Sequence, residues 1–287
     1  MSRQIRILAL ADNFVPERNA PALRVHEHCR RWAEQGAEVT VITCVPNFPA
    51  GKIFPPYKNR LYQRERIDGI EVVRVWSYVA ANAGVFHRSL DFLSYAASAF
   101  LAGFRENPDI IVATSPQLLT GVAGAMLAFV KRRPWVFEVR DLWPDSITAV
   151  GAMRQGPLIS FLRWVEGRLY RSARLIVATS HGLREAIIDK GIQGEKIRVI
   201  HNGANMKRFA QAHISDGVAS KLGLTEKFIV GYVGTHGLAQ GLETLIEAAE
   251  LLREKADIHF VLVGEGARRA ALAEMVRSRG MTNVTLV

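Results

Sequence analysis

Cysteine is scarce: the 287 residues hold two, Cys29 and Cys44, in separate segments and without CxxC or zinc-like spacing. That excludes a disulfide framework and a cysteine-based metal centre, and both residues read as small core side chains in a reducing compartment. Transmembrane length is lacking as well. The longest uncharged stretch, Ile110 to Val130, is interrupted by Pro116, Gln117 and small residues, so it reads as strand, loop and helix rather than a span. Basic residues ahead of the run Ile5–Ala11 imitate a signal peptide, but the run stops at Asp12 and suits a first parallel strand better. No segment repeats with a period of 20–50 residues, which sets aside solenoids and propellers. The first strand-to-helix turn, Asp12 to Pro21, contains no glycine. That is not the dinucleotide fingerprint, which argues against an NAD-type dehydrogenase.

Acid is in short supply relative to base. Lys and Arg number 37 against 27 Asp and Glu, for a net charge of +10. Up to residue 205 the balance is 27 to 18, and beyond it 10 to 9, so the excess lies in the first two-thirds. Such a surface attracts anions: phosphorylated substrates, nucleic acid or acidic lipid headgroups.

What is present is a regular alternation of short apolar runs and helical patterns, the signature of βαβ units around a parallel sheet. Strands are predicted at Ile5–Ala11, Glu38–Cys44, Ile70–Val75, Ile110–Ala113, Val136–Val139, Leu175–Ala178 and Ile197–Ile200. Helices fall at Ala22–Gln35, Leu90–Phe104, Leu118–Lys131, Leu158–Tyr170 and Leu183–Lys190. A second count follows: strands Phe228–Val233, Ile258–Val263 and Val284–Val287, with helices Gly241–Arg253 and Arg268–Arg279. The class is α/β, with two Rossmann-like, doubly wound parallel-sheet domains. The first covers 1–203 and the second 204–287, with polar residues 204–226 as a linker. Three strands are fewer than the five or six of a doubly wound domain, so the second is expected to be incomplete and the sequence to be truncated at its C-terminal end.

Open parallel sheets bind ligands beyond the carboxyl ends of their strands. In the second domain that position is Gly234-Thr235-His236-Gly237-Leu238-Ala239-Gln240-Gly241. Glycines there admit a phosphate to the backbone, and the following helix offers free N–H groups and positive partial charge. A plain tight turn is the alternative. His236 could bring a proton or a charge to a diphosphate leaving group. Gly264-Glu265-Gly266 ends the next strand and could line a nucleobase slot.

In the first domain the outstanding segment runs from Glu138 to Ser146, with Arg140, Asp141 and Asp145 interleaved with Trp143 and Pro144. Glu138 falls in a strand buried on both faces, where an unpaired carboxylate is costly. The segment reads as a polar cleft wall or as a local salt-bridge network. Lys52, behind the rigid loop Pro46-Asn47-Phe48-Pro49, could meet an acceptor phosphate or merely follow a turn. His87, Arg88 and His181 open helices and read as surface residues. The helix Leu158–Arg174 carries Arg163, Arg168, Arg171 and Arg174 among aromatic residues. It suits packing on the sheet, with its arginine face available to a membrane interface.

The ordered set resembles glycosyltransferase family 4, in the bacterial branch that builds cell-surface polysaccharides. It comprises Pro46 to Lys52, Glu138 to Ser146, His201-Asn202-Gly203, Gly234 to Gly241 followed by Glu243-Thr244-Leu245, and Val261 to Gly266. The resemblance implies a GT-B fold of two facing Rossmann domains. It implies transfer of a hexosyl or N-acetylhexosaminyl group from a nucleotide-sugar, UDP-linked or alternatively GDP-linked, with retention of configuration. The acceptor would be a polyprenyl-diphosphate-linked glycan, with no cofactor, no obligatory metal and no nucleic acid. The protein would sit peripherally, at an anionic membrane surface on the cytoplasmic side.

Carried over residue by residue, Gly234, Thr235, His236 and Gly237 would cradle the diphosphate, and Gly264, Glu265 and Gly266 would approach the base. Asn19, Lys52, Glu138, Arg140, Asp141 and Asp145 would line the acceptor side. Asp141, Arg140 and His236 are the candidates for catalysis. Departures are plain: Asn19-Ala20 replaces a Gly-Gly of many members, and His236 and Gln240 stand where many carry an Arg and a Lys. The family's Glu-x7-Glu pair would lie beyond Val287. A nucleotide-sugar 2-epimerase on the same fold, or a non-catalytic membrane-associated subunit of a polysaccharide assembly complex, are the alternative readings.

Overall fold

The computed structural model describes residues 4–48, 51–79, 85–149, 151, 155–203 and 217–287. The protein divides into two compact units, Met1–Gly203 and Ala204–Val287.

The first unit is built on one eight-stranded sheet. Its strands are β1 (Arg6–Leu10), β2 (Glu38–Cys44), β3 (Tyr62–Ile67), β4 (Ile70–Val75), β5 (Ile110–Thr114), β6 (Trp135–Val139), β7 (Leu175–Ala178) and β8 (Ile197–Val199). They lie in the order β3-β4-β2-β1-β5-β6-β7-β8, parallel except for β3. The apolar runs are central because both faces are covered, as a parallel sheet requires. On one face α1 (Ala20–Glu34) sits over Val39, Val41, Ile70 and Val72. On the other lie α2 (Val85–Gly103), α3 (Leu118–Lys131), α5 (Pro157–Ser172) and α6 (His181–Asp189). Leu8, Ile42, Ile111, Leu127, Phe137 and Tyr170 form that second core. The short α4 (Asp145–Ala149) follows β6.

The alternation predicts every strand of this sheet except β3. Its sequence, YQRERI, is polar at half its positions or more and nowhere fully buried. It pairs antiparallel with β4 across a turn in which Asp68 and Gly69 both have positive φ (49° and 80°). That Asp-Gly pair is itself a hairpin signal.

The second unit holds a three-stranded parallel sheet in the order β11-β10-β9, from β9 (Phe228–Val233), β10 (Ile258–Val263) and β11 (Val284–Leu286). Helices α8 (Glu243–Leu251) and α9 (Arg269–Ser278) pack on it through Ile246, Phe260, Leu262 and Leu272. Part of the expected linker is ordered as α7 (Gly217–Lys221); residues 204–216 lie outside the described residues. The α/β class and the two parallel sheets follow the sequence pattern.

Candidate functional site

At the carboxyl ends of β1, β2, β5 and β6 the first unit opens into a pocket of about 220 Å³. Its walls come from the loops after those strands and from the first turns of α2, which contribute His87, Arg88, Asp91 and Phe92. The rim is organised by a single buried carboxylate. Glu17 Oε1 accepts from the backbone N–H of Asn47 (2.7 Å) and Phe48 (2.8 Å), and Oε2 accepts from Asn13 Nδ2 (2.9 Å). The first and second loops are thereby tied together through one acceptor-only group.

Inside, Gln117 Nε2 donates to Asp12 Oδ2 at 2.5 Å. Asp12 Oδ1, Gln117 Oε1, Thr120 Oγ1 and Arg140 Nη1 are buried and have no partner within the protein. All four residues line the pocket. Burial, reinforced by Asp91 and Glu17, pushes the Asp12 carboxyl up to about 8. Asp91 is pushed up to about 6, again chiefly by burial, with Arg88 opposing. Burial draws the Arg140 guanidinium below its ordinary range, with Glu138 opposing. Buried polar atoms are normally satisfied, and a cluster left open along one cavity is the pattern of a ligand site. The unmatched groups are a carboxyl, an amide oxygen, a hydroxyl and a guanidinium nitrogen, which complement hydroxyl groups.

The residues expected on the acceptor side are distributed differently. Arg140 lines the pocket and its backbone N–H donates to Ser115 Oγ at 2.8 Å. Glu138 does not line it. Its carboxylate is bound by Arg24, whose Nη2 lies 2.7 Å from Oε1. Arg24 also donates to the carbonyls of Ile200 (3.2 Å) and His201 (3.4 Å) and to Asn202 Oδ1. The junction His201-Asn202 therefore helps to hold the cation that neutralises the buried acid. Asp145 sits in an ion-pair network with Arg163 (2.8 Å) and Lys190 (2.7 Å), which reaches buried Glu166. Asn19 caps α1, its Oδ1 accepting from Ala22 N at 2.8 Å. Asp141 and Lys52 are exposed and outside the pocket. Asp12, Asp91, Gln117 and Thr120 are among the pocket residues that sequence reasoning passes over. Asp12 is visible there only as the polar end of the first strand.

In the second unit the two glycine loops pack on each other. The N–H of His236 donates to Glu265 O (2.9 Å), and that of Arg268 to His236 O (2.8 Å). Gly264 (φ +149°) and Gly266 (φ +155°) are needed for this approach. A Cβ on Gly264 would stand 1.8 Å from Gly234 O, and one on Gly266 2.4 Å from His236 O. These glycines thus make room for the first loop's backbone. His236 is buried, and neither ring nitrogen has a partner. Burial, seconded by Arg269, lowers its pKa, so the ring is neutral at pH 7. It supplies no standing positive charge, whereas the sequence allows a proton or a charge. Thr235 and Glu265 are exposed. Glu243, at the start of α8, pairs with Arg268, and its own backbone N–H and Arg268 lower its pKa. A carboxylate therefore already sits where the helix end would favour an anion.

Comparison with known proteins adds an independent line. The family model described as "Glycosyl transferase 4-like domain" matches residues 19–203. WcaI of Escherichia coli (strain K12), named as a glycosyl transferase of colanic acid biosynthesis, is 29% identical over 290 residues, covering 98% of this chain and 70% of that protein. Sucrose-phosphate synthase from Thermosynechococcus elongatus superposes with a TM-score of 0.75 at 18% identity, over 99% of this chain and 70% of that one. Anabaena Alr3699/HepE in complex with UDP-glucose superposes with a TM-score of 0.67 at 18% identity, over 99% and 69%. These two likenesses establish a shared fold.

Proposed function

Because the protein belongs to the glycosyl transferase 4-like family and has the GT-B fold, we propose that this glycosyltransferase moves a sugar from a UDP-sugar to a lipid-linked glycan in cell-surface polysaccharide synthesis. The sugar is a hexose or an N-acetylhexosamine, and its configuration is retained. The acceptor's sugar enters the pocket of the first unit, and the donor binds at the glycine loops of the second. The protein works peripherally at an anionic membrane on the cytoplasmic side, without a cofactor or obligatory metal. The single observation that carries the acceptor assignment is the unpartnered quartet of Asp12, Gln117, Thr120 and Arg140.

In such a transfer the nucleoside diphosphate departs with its bonding pair, and an acceptor hydroxyl attacks the oxocarbenium-like carbon from the same face and gives its proton to the departing diphosphate. Asp12 fits the acceptor half of this chemistry. With Oδ2 engaged by Gln117, its proton resides on Oδ1, which can donate to one acceptor oxygen; once ionised it accepts from a hydroxyl. Arg140 can only donate, so the two groups read opposite sides of a hydroxyl pattern. Holding the hydroxyl at the face the diphosphate leaves is worth more than acidity alone, since orientation supplies much of the barrier reduction.

The test is UDP release from a panel of UDP-hexoses and UDP-N-acetylhexosamines, with and without a polyprenyl-diphosphate glycan. Acceptor-dependent release, lost in Asp12→Asn and Arg140→Gln, is the expected result. Interconversion of the nucleotide-sugar without acceptor would establish the epimerase reading instead, and no turnover with any donor would point to a non-catalytic subunit.

A further inference from the structure

The sequence places membrane contact on the arginines of α5. In the structure Arg163 is engaged by Asp145 and Gln155, and Arg168 lies over the Trp164 ring. A different surface carries the required features. Helix α2 has no charged residue from Phe92 to its end, nor has Phe104 beyond it, and α3 has none from Leu118 to Val130. The two pack side by side: Gly103 of α2 lies directly against Leu127 of α3, and Lys131 donates to the carbonyls of Phe104 (3.3 Å) and Glu106 (2.7 Å). Their inner faces are consumed by the core. Their outer faces expose Leu93 (54%), Leu101 (63%), Phe104 (47%), Met126 (48%), Phe129 (85%) and Val130 (52%). Isolated exposed apolar residues are ordinary; a set spread over two adjoining helices with no interspersed charge is not.

The occupant follows from the rim. Where the two helices end, Arg105, Lys131, Arg132 and Arg133 gather. The acids there are already taken, Glu106 by Arg64 and Asp109 by Arg6. Among the described residues no carboxylate pairs with Arg132 or Arg133. An apolar face bordered by uncompensated cations complements a bilayer with anionic headgroups, where apolar side chains enter the acyl boundary and Arg and Lys meet phosphate. No helix among the described residues is long and apolar enough to cross a membrane, so the contact is lateral. Helix α2 also begins at the right place: its first turns, with His87, Arg88 and Asp91, line the pocket. We infer that the outer face of the α2–α3 pair is the surface on which this protein sits on an anionic lipid bilayer. This rests on the lipid-linked acceptor reading, because the same helix then leads from the membrane to the acceptor pocket.

Co-sedimentation with phosphatidylglycerol-containing vesicles, against pure phosphatidylcholine vesicles, tests it. The unaltered protein is expected to bind the anionic vesicles, less so as salt rises. The pair Leu101→Gln and Phe129→Gln should weaken binding by about tenfold or more, as should Arg132→Gln with Arg133→Gln. Replacing Arg168, Arg171 and Arg174 together by Gln should change it little. Unchanged tryptophan fluorescence shows that each variant is folded. A protein that ignores anionic vesicles, or an α2–α3 variant that binds them undiminished, overturns the inference. So does self-association abolished by Leu101→Gln with Phe129→Gln, which would make the patch an interface between copies. Transfer to a short, water-soluble acceptor separates the two readings. Transfer without vesicle binding sinks the surface and spares the function; vesicle binding without transfer does the reverse.

Discussion

In Met1–Gly203 the strand ends carry a pocket walled by side chains, several of them buried and ionisable; in Ala204–Val287 the strand ends carry two loops joined backbone to backbone. The first arrangement presents chemically distinct groups to a ligand and can discriminate between hydroxyl patterns. The second presents backbone atoms, which suit a group common to many donors, such as a diphosphate. The difference also divides the vulnerability of the two units. The first unit depends on a buried charge, Glu138, that must stay paired with Arg24, and the loops on the absence of Cβ atoms.

The largest expected effect breaks the first of these dependences. Replacing Arg24 by Met leaves buried Glu138 without its cation. Removing one partner of a buried ion pair costs about 3–5 kcal/mol. Unfolding in urea, followed by tryptophan fluorescence, reads this unit alone, because all five tryptophans lie in it. A loss below about 1 kcal/mol would show that water reaches Glu138 and that the pair is not what holds α1 to β6.

The corresponding break in the second unit is Gly264→Ala. The added methyl would meet a carbonyl oxygen at 1.8 Å, so the loops must separate. Overpacking together with backbone strain is worth about 2–4 kcal/mol. Gly241 provides the control, since its φ is +55° but nothing lies within 4 Å. Gly241→Ala should cost only the left-handed conformation, about 1–2 kcal/mol. Hydrogen exchange over 228–287 should rise in both variants, more in the first, while tryptophan fluorescence stays unchanged. Equal effects would mean that the loops yield.

A third experiment contrasts the units by sign. Asp12 and Asp91 bind protons more tightly in the folded state than in the unfolded one, with values near 8 and 6 against about 4. Their contribution is full below about pH 4, declines as pH rises, and is gone above about 8. His236 and His259 behave oppositely: burial lowers both, so stability in the second unit is lost as pH falls below about 6.5. Each slope is at most about 1.4 kcal/mol per pH unit per proton. Asp12→Asn should flatten the fluorescence-detected slope between about pH 4 and 8, leaving a smaller slope to which Asp91 and Glu166, both raised by burial, contribute. A slope of the same sign in both units would remove this contrast.

The sheet is readable in the sequence and the pocket mostly is not. Strands such as Glu38–Cys44 and Ile258–Val263 announce themselves because burial on both faces demands continuous apolar runs. β3 escapes because an edge strand needs no such run. Arg140 and the loops are found because the ligand ends of strands are known places to look. Asp91 is hidden inside a helix, and only the fold brings it to the pocket that Asp12 also lines. Glu138 looks functional because it is buried and acidic; its partner, Arg24, lies 114 residues away. Local pattern marks where polar groups must be compensated, but not by what.

The smallest expected effect concerns Asn19, which the family resemblance puts on the acceptor side and which the structure makes an N-cap. Its Oδ1 accepts from Ala22 N, and its Nδ2 donates to Glu17 Oε2 at 3.3 Å. Loss of a capping group costs about 1 kcal/mol, so Asn19→Ala should lower the stability of the first unit by that much. Asn19→Asp keeps the acceptor oxygen and adds favourable charge at the helix start, while it opposes the buried Glu17 carboxylate. Asn19→Ser keeps a capping oxygen and adds no charge. If Asn19 acts only as a cap, Ser should restore both stability and acceptor-dependent turnover. If Ser restores stability while the acceptor KM stays raised, the Nδ2 group touches the sugar. Equal failure of both readouts in Ser would mean that the Asn19–Glu17 bond sets the position of the pocket rim.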